Sequence, residues 1–179
     1  MTDSHDFRLD CGLCVLRPWR HDDLALLVRS ANNLKVAANL RDRFPHPYTE
    51  ADGRAWLELA TTDLSEWRWA IEFEEEAVGG IGLMPQNDIN TGTAEIGYWL
   101  GEPFWGRGIT TTAVKVLTRH ALTALGFRRL YAWAFGPNVA SQRVLEKAGY
   151  VREGLLRRSA IKHGEVLDQT LYAFVDGDL

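Results

Sequence analysis

Gly106-Arg107-Gly108, placed directly before a helical pattern that opens at Ile109, is the spacing in this chain with the clearest chemical use. Unpaired backbone N–H groups and the positive end of a helix dipole make such a start a site for phosphate. Glycines let the backbone come close, and Arg107 adds a formal charge. A glycine pair before a helix is also a plain tight turn. The spacing lacks the third glycine of a dinucleotide fingerprint and the Gly-Lys-Ser/Thr of a Walker loop. A second spacing, Cys11-Gly12-Leu13-Cys14, has neither two further ligands for zinc nor the βαβ setting of a redox pair. It reads as two small apolar residues in or beside an N-terminal strand. No His/Asp/Glu cluster has metal spacing, His46 and His163 stand alone, and no Gly-x-Ser-x-Gly elbow supports a hydrolase.

The elements that must hold these residues follow from periodicity. Trp67, Trp69, Ile71 and Phe73 alternate onto one face of a strand. Glu74 to Glu76 reads as the turn into a strand from Ala77 to Met84, where Gly79, Gly80 and Gly82 admit neighbouring backbone. A further strand covers Thr93 to Leu100. Beyond Gly108, Ile109, Ala113, Leu117, Ala121 and Leu125 recur every fourth residue, the stripe of an amphipathic helix that Gly126 stops. Arg129 to Phe135 reads as a strand, Asn138 as an N-cap, Val139 to Ala148 as a helix and Gly149 as its stop. Leu155 to Ile161 and Val166 to Val175 read as two closing strands. Upstream, Phe7 to Arg17 reads as one extended segment bent at Gly12 and ended by Pro18. Asp22 or Asp23 caps a helix reaching about Ala31, Leu34 to Tyr48 reads as irregular, and Thr49 to Asp52 starts another helix with Trp56, Leu57 and Ala60 on one side.

With 179 residues, 46% of them hydrophobic and 25% charged, the chain fits one compact domain over 1–179. Seven tryptophans call for a packed core or a pocket. A net charge of −4 argues against a broad nucleic-acid footprint, which needs clustered Lys and Arg. The longest aliphatic run, Leu24 to Val28, falls far short of the about 20 residues of a membrane span. Met1 to Asp6 lacks the apolar stretch of a signal peptide. The expectation is a cytoplasmic protein with no membrane partner and no direct nucleic-acid partner.

Three segments occur in order: Ala94-Glu95-Ile96-Gly97-Tyr98-Trp99-Leu100, then Trp105-Gly106-Arg107-Gly108-Ile109-Thr110-Thr111, then Asn138 to Tyr150 with Ser141, Leu145 and Gly149. Together they resemble the GNAT superfamily of N-acetyltransferases, and most closely the branch of ribosomal-protein N-terminal (alanine/serine) acetyltransferases. The resemblance runs more weakly from Leu16-Arg17-Pro18 to Tyr172. It implies an α/β (α+β) GNAT fold, with a mixed twisted sheet of about six to seven strands flanked by helices on both faces. That sheet would splay between Glu95–Leu100 and Arg129–Phe135 to take acetyl-CoA, without a metal. The pantetheine arm would pair with backbone around Tyr98, Trp99 and Leu100. The pyrophosphate would rest on Arg107, Gly108, Ile109, Thr110, Thr111 and Thr112, with Asn138 and Ser141 completing the cofactor contacts. Trp105 and Thr110 depart from the residues usual at their positions.

The resemblance also frames the chemistry. Acetyl transfer needs a neutral amine, a stabilised oxyanion and a protonated or tolerated thiolate. A backbone N–H near Leu100 suits the oxyanion and Glu95 is the candidate base; the alternative for Glu95 is a carboxylate that fixes a local hydrogen bond. Many relatives place a tyrosine acid where this chain has Leu145. In the resembling branch a serine at the position of Ser141 takes that part, and the alternative for Ser141 is a hydroxyl bonding its own backbone. The acceptor surface falls to the first two helices, the Arg41–Tyr48 loop with Phe44, His46 and Tyr48, then Trp56 and Trp105, and the hairpin around Arg157 to His163. Three acceptor readings stand: the α-amine of a protein or peptide, a small amine such as a polyamine, amino acid or antibiotic, and none, the chain being an acetyl-CoA-binding module. A homodimer is left open.

Overall fold

The computed structural model describes residues 7–63 and 65–179; Met1 to Asp6, on which the signal-peptide reading fell, lie outside it. Strands β1 (Leu9–Asp10), β2 (Val15–Pro18), β3 (Trp67–Phe73), β4 (Glu76–Pro85), β5 (Thr93–Leu100), β6 (Arg129–Phe135), β7 (Val151–Lys162) and β8 (Glu165–Val175) form one eight-stranded sheet. Its order is β1-β2-β3-β4-β5-β6-β8-β7. Every pairing is antiparallel except β5 with β6. The helices are α1 (Leu24–Ala31), α2 (Leu34–Ala37), α3 (Glu50–Thr62), α4 (Ile109–Thr123) and α5 (Val139–Lys147).

Two expectations change. Phe7 to Arg17 is a hairpin: Cys11 N–H donates to the Cys14 carbonyl at 2.9 Å while Gly12 takes φ +80°. The Cys-x-x-Cys segment is therefore the turn itself, with both thiols free and buried. The extra strand brings the sheet to eight where six to seven were expected. Leu34 to Tyr48 is not wholly irregular, because the Asn33 side chain accepts from Lys35 N–H and caps the short helix α2. The capping box predicted at Thr49 is present, with Thr49 and Asp52 bonding each other's backbone at the start of α3.

The sheet buries both faces. On one, α4 sets Ile109, Ala113, Val114, Leu117 and Ala121 against Leu16, Trp69, Ile71, Leu83 and Ile96. On the other, α1 and α3 pack Leu27 and Leu57 with Trp19, Tyr48, Trp56 and Trp99. Strand alternation along β5 thus sends Ala94, Ile96 and Leu100 to the α4 side and Trp99 to the α1–α3 side. Gly80 on β4 makes room for the second cluster: a Cβ there would stand 2.8 Å from Trp99 Nε1 and 3.2 Å from Trp19 Cζ2.

The sheet is not continuous along its length. β5 and β6 pair only at Thr93–Arg129, Ala94–Leu130 and Glu95–Tyr131, then part while each strand runs on. That gap positions everything described next.

Candidate active site

A cavity of about 990 Å³ opens where β5 and β6 part. Its floor is backbone. Gly101 N–H bonds the Val78 carbonyl on β4 at 2.8 Å, so the alternation of the ladder turns the peptide groups of Tyr98 and Leu100 away from β4, into the gap. The Leu100 carbonyl is taken by the indole N–H of Trp105 at 2.7 Å. What remains at that point is a lone donor, the Leu100 N–H, in the place expected for an oxyanion contact. Trp105, expected on the acceptor surface, does its bonding here.

The opening turn of α4 forms one end of the cavity. Gly108 is its N-cap at φ +82° and no side chain caps it, which leaves the amides of Ile109, Thr110 and Thr111 open to a ligand. Gly106, Gly108, Ile109, Thr110 and Thr111 all line the cavity. Thr112 is a correction: its N–H and its hydroxyl both bond the Gly108 carbonyl, at 3.0 and 3.1 Å. Arg107 stands outside the lining, its guanidinium 5.5 Å from the Phe104 ring centre and 5.9 Å from that of Phe73. The cysteine turn packs behind this helix start, with Cys14 Sγ 3.9 Å from the Ile109 carbonyl.

At the far wall, Asn138 caps α5 by accepting from Ser141 N–H at 3.1 Å. The Ser141 hydroxyl meets a side chain. Its oxygen lies 2.9 Å from the phenol oxygen of Tyr98, which is also 3.3 Å from the Ser141 carbonyl. Burial raises the Tyr98 phenol above its ordinary range, against a smaller lowering by the Ser141 bond. Leu145 is fully buried in the core beneath.

Glu95 points to the opposite side of β5 from Tyr98 and is ion-paired with Arg41 of the α2–α3 loop. Its side chain is 14% exposed against 51% for Arg41, so the carboxylate is the more enclosed partner. Phe44, Tyr48, Trp56 and Trp99 line this half of the cavity with Arg43, whose guanidinium lies 3.4 Å from the Met84 sulfur. Burial, then the Asp52 charge, pushes the Tyr48 phenol up to about 12. His46 and the Arg157–His163 hairpin lie outside the lining, contrary to expectation. Lys162 reaches only the back of the loop, bonding Asp42 at 2.8 Å.

A family model described as an acetyltransferase (GNAT) domain matches residues 14–151, more than half of the chain. The chain belongs to the GNAT family. Among curated relatives, a probable N-acetyltransferase, YjcK of Bacillus subtilis, is 31% identical, over 82% of this chain and 88% of the relative. The ribosomal-protein-serine acetyltransferase of Escherichia coli is 33% identical over 56% and 55%, and the spermidine N(1)-acetyltransferase of the same species 27% over 84% and 79%. The match thus spans as little as about half of a relative's length. RimL, a ribosomal L7/L12 alpha-N-protein acetyltransferase solved with coenzyme A, superposes with a TM-score of 0.84 at 22% identity, covering 94% of this chain and 98% of that one.

As a GNAT acetyltransferase, the chain uses acetyl-CoA as co-substrate. Its cavity presents cleft-facing peptide groups on β5 and open amides at the start of α4, donors of the kind that an extended diamide and a diphosphate take. Among the described residues no cluster of His, Cys, Asp and Glu could hold a metal, and no helix is long and apolar enough to cross a membrane. Three roles were absent from the sequence reading: the Arg41 pairing, the Tyr98 hydroxyl and the Trp105 bond. Alternation alone would have set Glu95 and Tyr98 on opposite faces, but partners drawn from a distant loop and from α5 leave no local pattern.

Proposed function

We propose that this chain transfers the acetyl group of acetyl-CoA to the α-amine of a protein or peptide N-terminus, by direct attack in a ternary complex. The observation that carries the reading is the Arg41–Glu95 pair at the acceptor side of the cleft. The guanidinium already occupies the Glu95 carboxylate, an arrangement that suits an acceptor needing little help with its proton. An α-amine near 8 is about a tenth neutral at pH 7, while a lysine near 10.4 is neutral at only about one part in 2,500. Arg41 and Arg43 also place positive charge where a polyamine would have to bring its own. The aromatic wall of Phe44, Tyr48, Trp56 and Trp99 suits the first side chain of a peptide.

In the step, the amine nitrogen attacks the thioester carbon, the oxyanion is held by the Leu100 N–H, and the C–S bond breaks with its electron pair leaving on sulfur. The amine gives up its proton toward Glu95, directly or through water, and that proton closes the count on the thiol. Thiol release measured with a panel of N-terminal peptides, spermidine, free amino acids and an acetyl-blocked lysine peptide tests the reading. Peptide α-amines should exceed spermidine at least tenfold in kcat/KM. Preference for the polyamine overturns the acceptor assignment, and tight acetyl-CoA binding with no transfer to any amine would establish a binding module.

A further inference from the structure

Ser141 is the third residue of α5, where a serine hydroxyl can turn back to the backbone of its own helix. Its N–H is held by the N-cap Asn138. The hydroxyl meets Tyr98 instead, across the cleft-lining gap between α5 and β5.

Counting protons on this pair limits what it can do. Two hydroxyl hydrogens serve one O···O contact of 2.9 Å and one O···O=C contact of 3.3 Å. If the phenol donated to the Ser141 carbonyl, Ser141 would donate to the phenol oxygen and have no hydrogen left for the cleft. That contact is the longer of the two, and the carbonyl sits inside α5, where helix geometry already gives it the amide four residues on. A phenol is also a stronger acid than an aliphatic alcohol, hence the better donor, and burial keeps it protonated. The shorter contact is therefore Tyr98 O–H donating to Ser141 Oγ, which leaves the serine hydrogen free to point into the cavity that Ser141 lines. A hydroxyl that accepts one bond donates the next more strongly.

We propose that Tyr98 is a positioning residue that aims and polarises the Ser141 hydroxyl toward the departing sulfur of coenzyme A. The proposal rests on the acetyl-transfer reading and adds who supports the thiolate. An alcohol is a weaker acid than a thiol, so Ser141 gives the sulfur a hydrogen bond and keeps its proton. The sulfur leaves with the C–S electron pair and is stabilised as thiolate until the proton lost by the amine reaches it. Leu145, fully buried beneath, has no polar group to offer the sulfur, and the phenol of Tyr98 enters from the strand and acts through serine.

Tyr98→Phe removes one oxygen and keeps the ring. It should lower kcat roughly tenfold while the KM values for acetyl-CoA and acceptor stay within about twofold. In a Ser141→Ala background the same substitution should cost nothing further, since its only route is gone; an equal loss in both backgrounds overturns the proposal. A second measurement needs no acceptor. Titrating the thiol of bound coenzyme A by its ultraviolet thiolate absorbance should give a value lower by about one pH unit in the unsubstituted protein than in either variant, the size of one hydrogen bond to a charge. Identical thiol titrations in all three proteins sink the proposal even if transfer to an amine is observed. Lowered thiol titration with no transfer to any amine would fault the acceptor reading alone.

Discussion

Glu95 decides whether the acceptor-side carboxylate removes a proton or merely holds Arg41. If it is the base, directly or through water, Glu95→Gln should cost most below pH 7, where the acceptor amine is largely protonated, and the loss should fade as pH rises through the amine's own pKa. A pH profile of kcat/KM for both proteins gives the answer. A loss that stays constant over that range means that Glu95 positions the loop. Glu95, Ser141, Gly108 and the amides of 109–111, all singled out from sequence, come together at one cavity. Thr112 stands apart from them, because its hydroxyl and amide turn back on Gly108. His46 lies outside that lining. A loop of Arg, Phe, Pro and His residues carries no period that says which side chains face inward.

At the scale of elements, the opening of α4 carries two loads that can be separated. Gly108 sits at φ +82°, where a side chain costs about 1–2 kcal/mol, yet the nearest atom to an added Cβ is Leu13 Cδ1 at an ordinary 3.6 Å. Gly126, beyond the other end of α4, has φ +77° and open space around it. Gly108→Ala and Gly126→Ala should therefore lose similar stability in denaturant melts. Only the first should weaken acetyl-CoA, by roughly tenfold, since its strain is relieved by moving the amides that face the diphosphate. Equal affinities for the two variants would remove Gly108 from the phosphate site. Among the elements, α4 was easy to read because its stripe is long and its stops are glycines. The N-terminal hairpin was missed because strands of two and four residues are too short for a period, and Gly12 signals a bend equally well with or without a partner strand. The β3–β4 turn was found by its charge, although Glu74 and Glu75 adopt φ of +50° and +66° without a glycine.

Across the whole molecule, the seam at which β5 and β6 part is also the candidate ligand site. β5 and β6 share three paired positions, and the cavity beyond them is lined from both halves: β4 and β5 on one side, β6 and the start of α5 on the other. A ligand that bonds peptide groups of β5 and touches α5 acts as a clamp across the missing part of the ladder. Acetyl-CoA at a hundredfold excess over its dissociation constant should add about 2.7 kcal/mol to stability. For a chain of this size that is a rise of about 5–10 °C in Tm. The distribution of the effect tests the clamp itself. Hydrogen exchange should slow most at the amides of 98–100, 109–111 and 138–141, which border the seam, and least along β7, the edge strand separated from it by β8 and β6. Protection spread evenly over the sheet would mean that the ligand stabilises the fold as a whole without bridging the seam, and the absence of any shift at millimolar ligand would remove acetyl-CoA from the cleft.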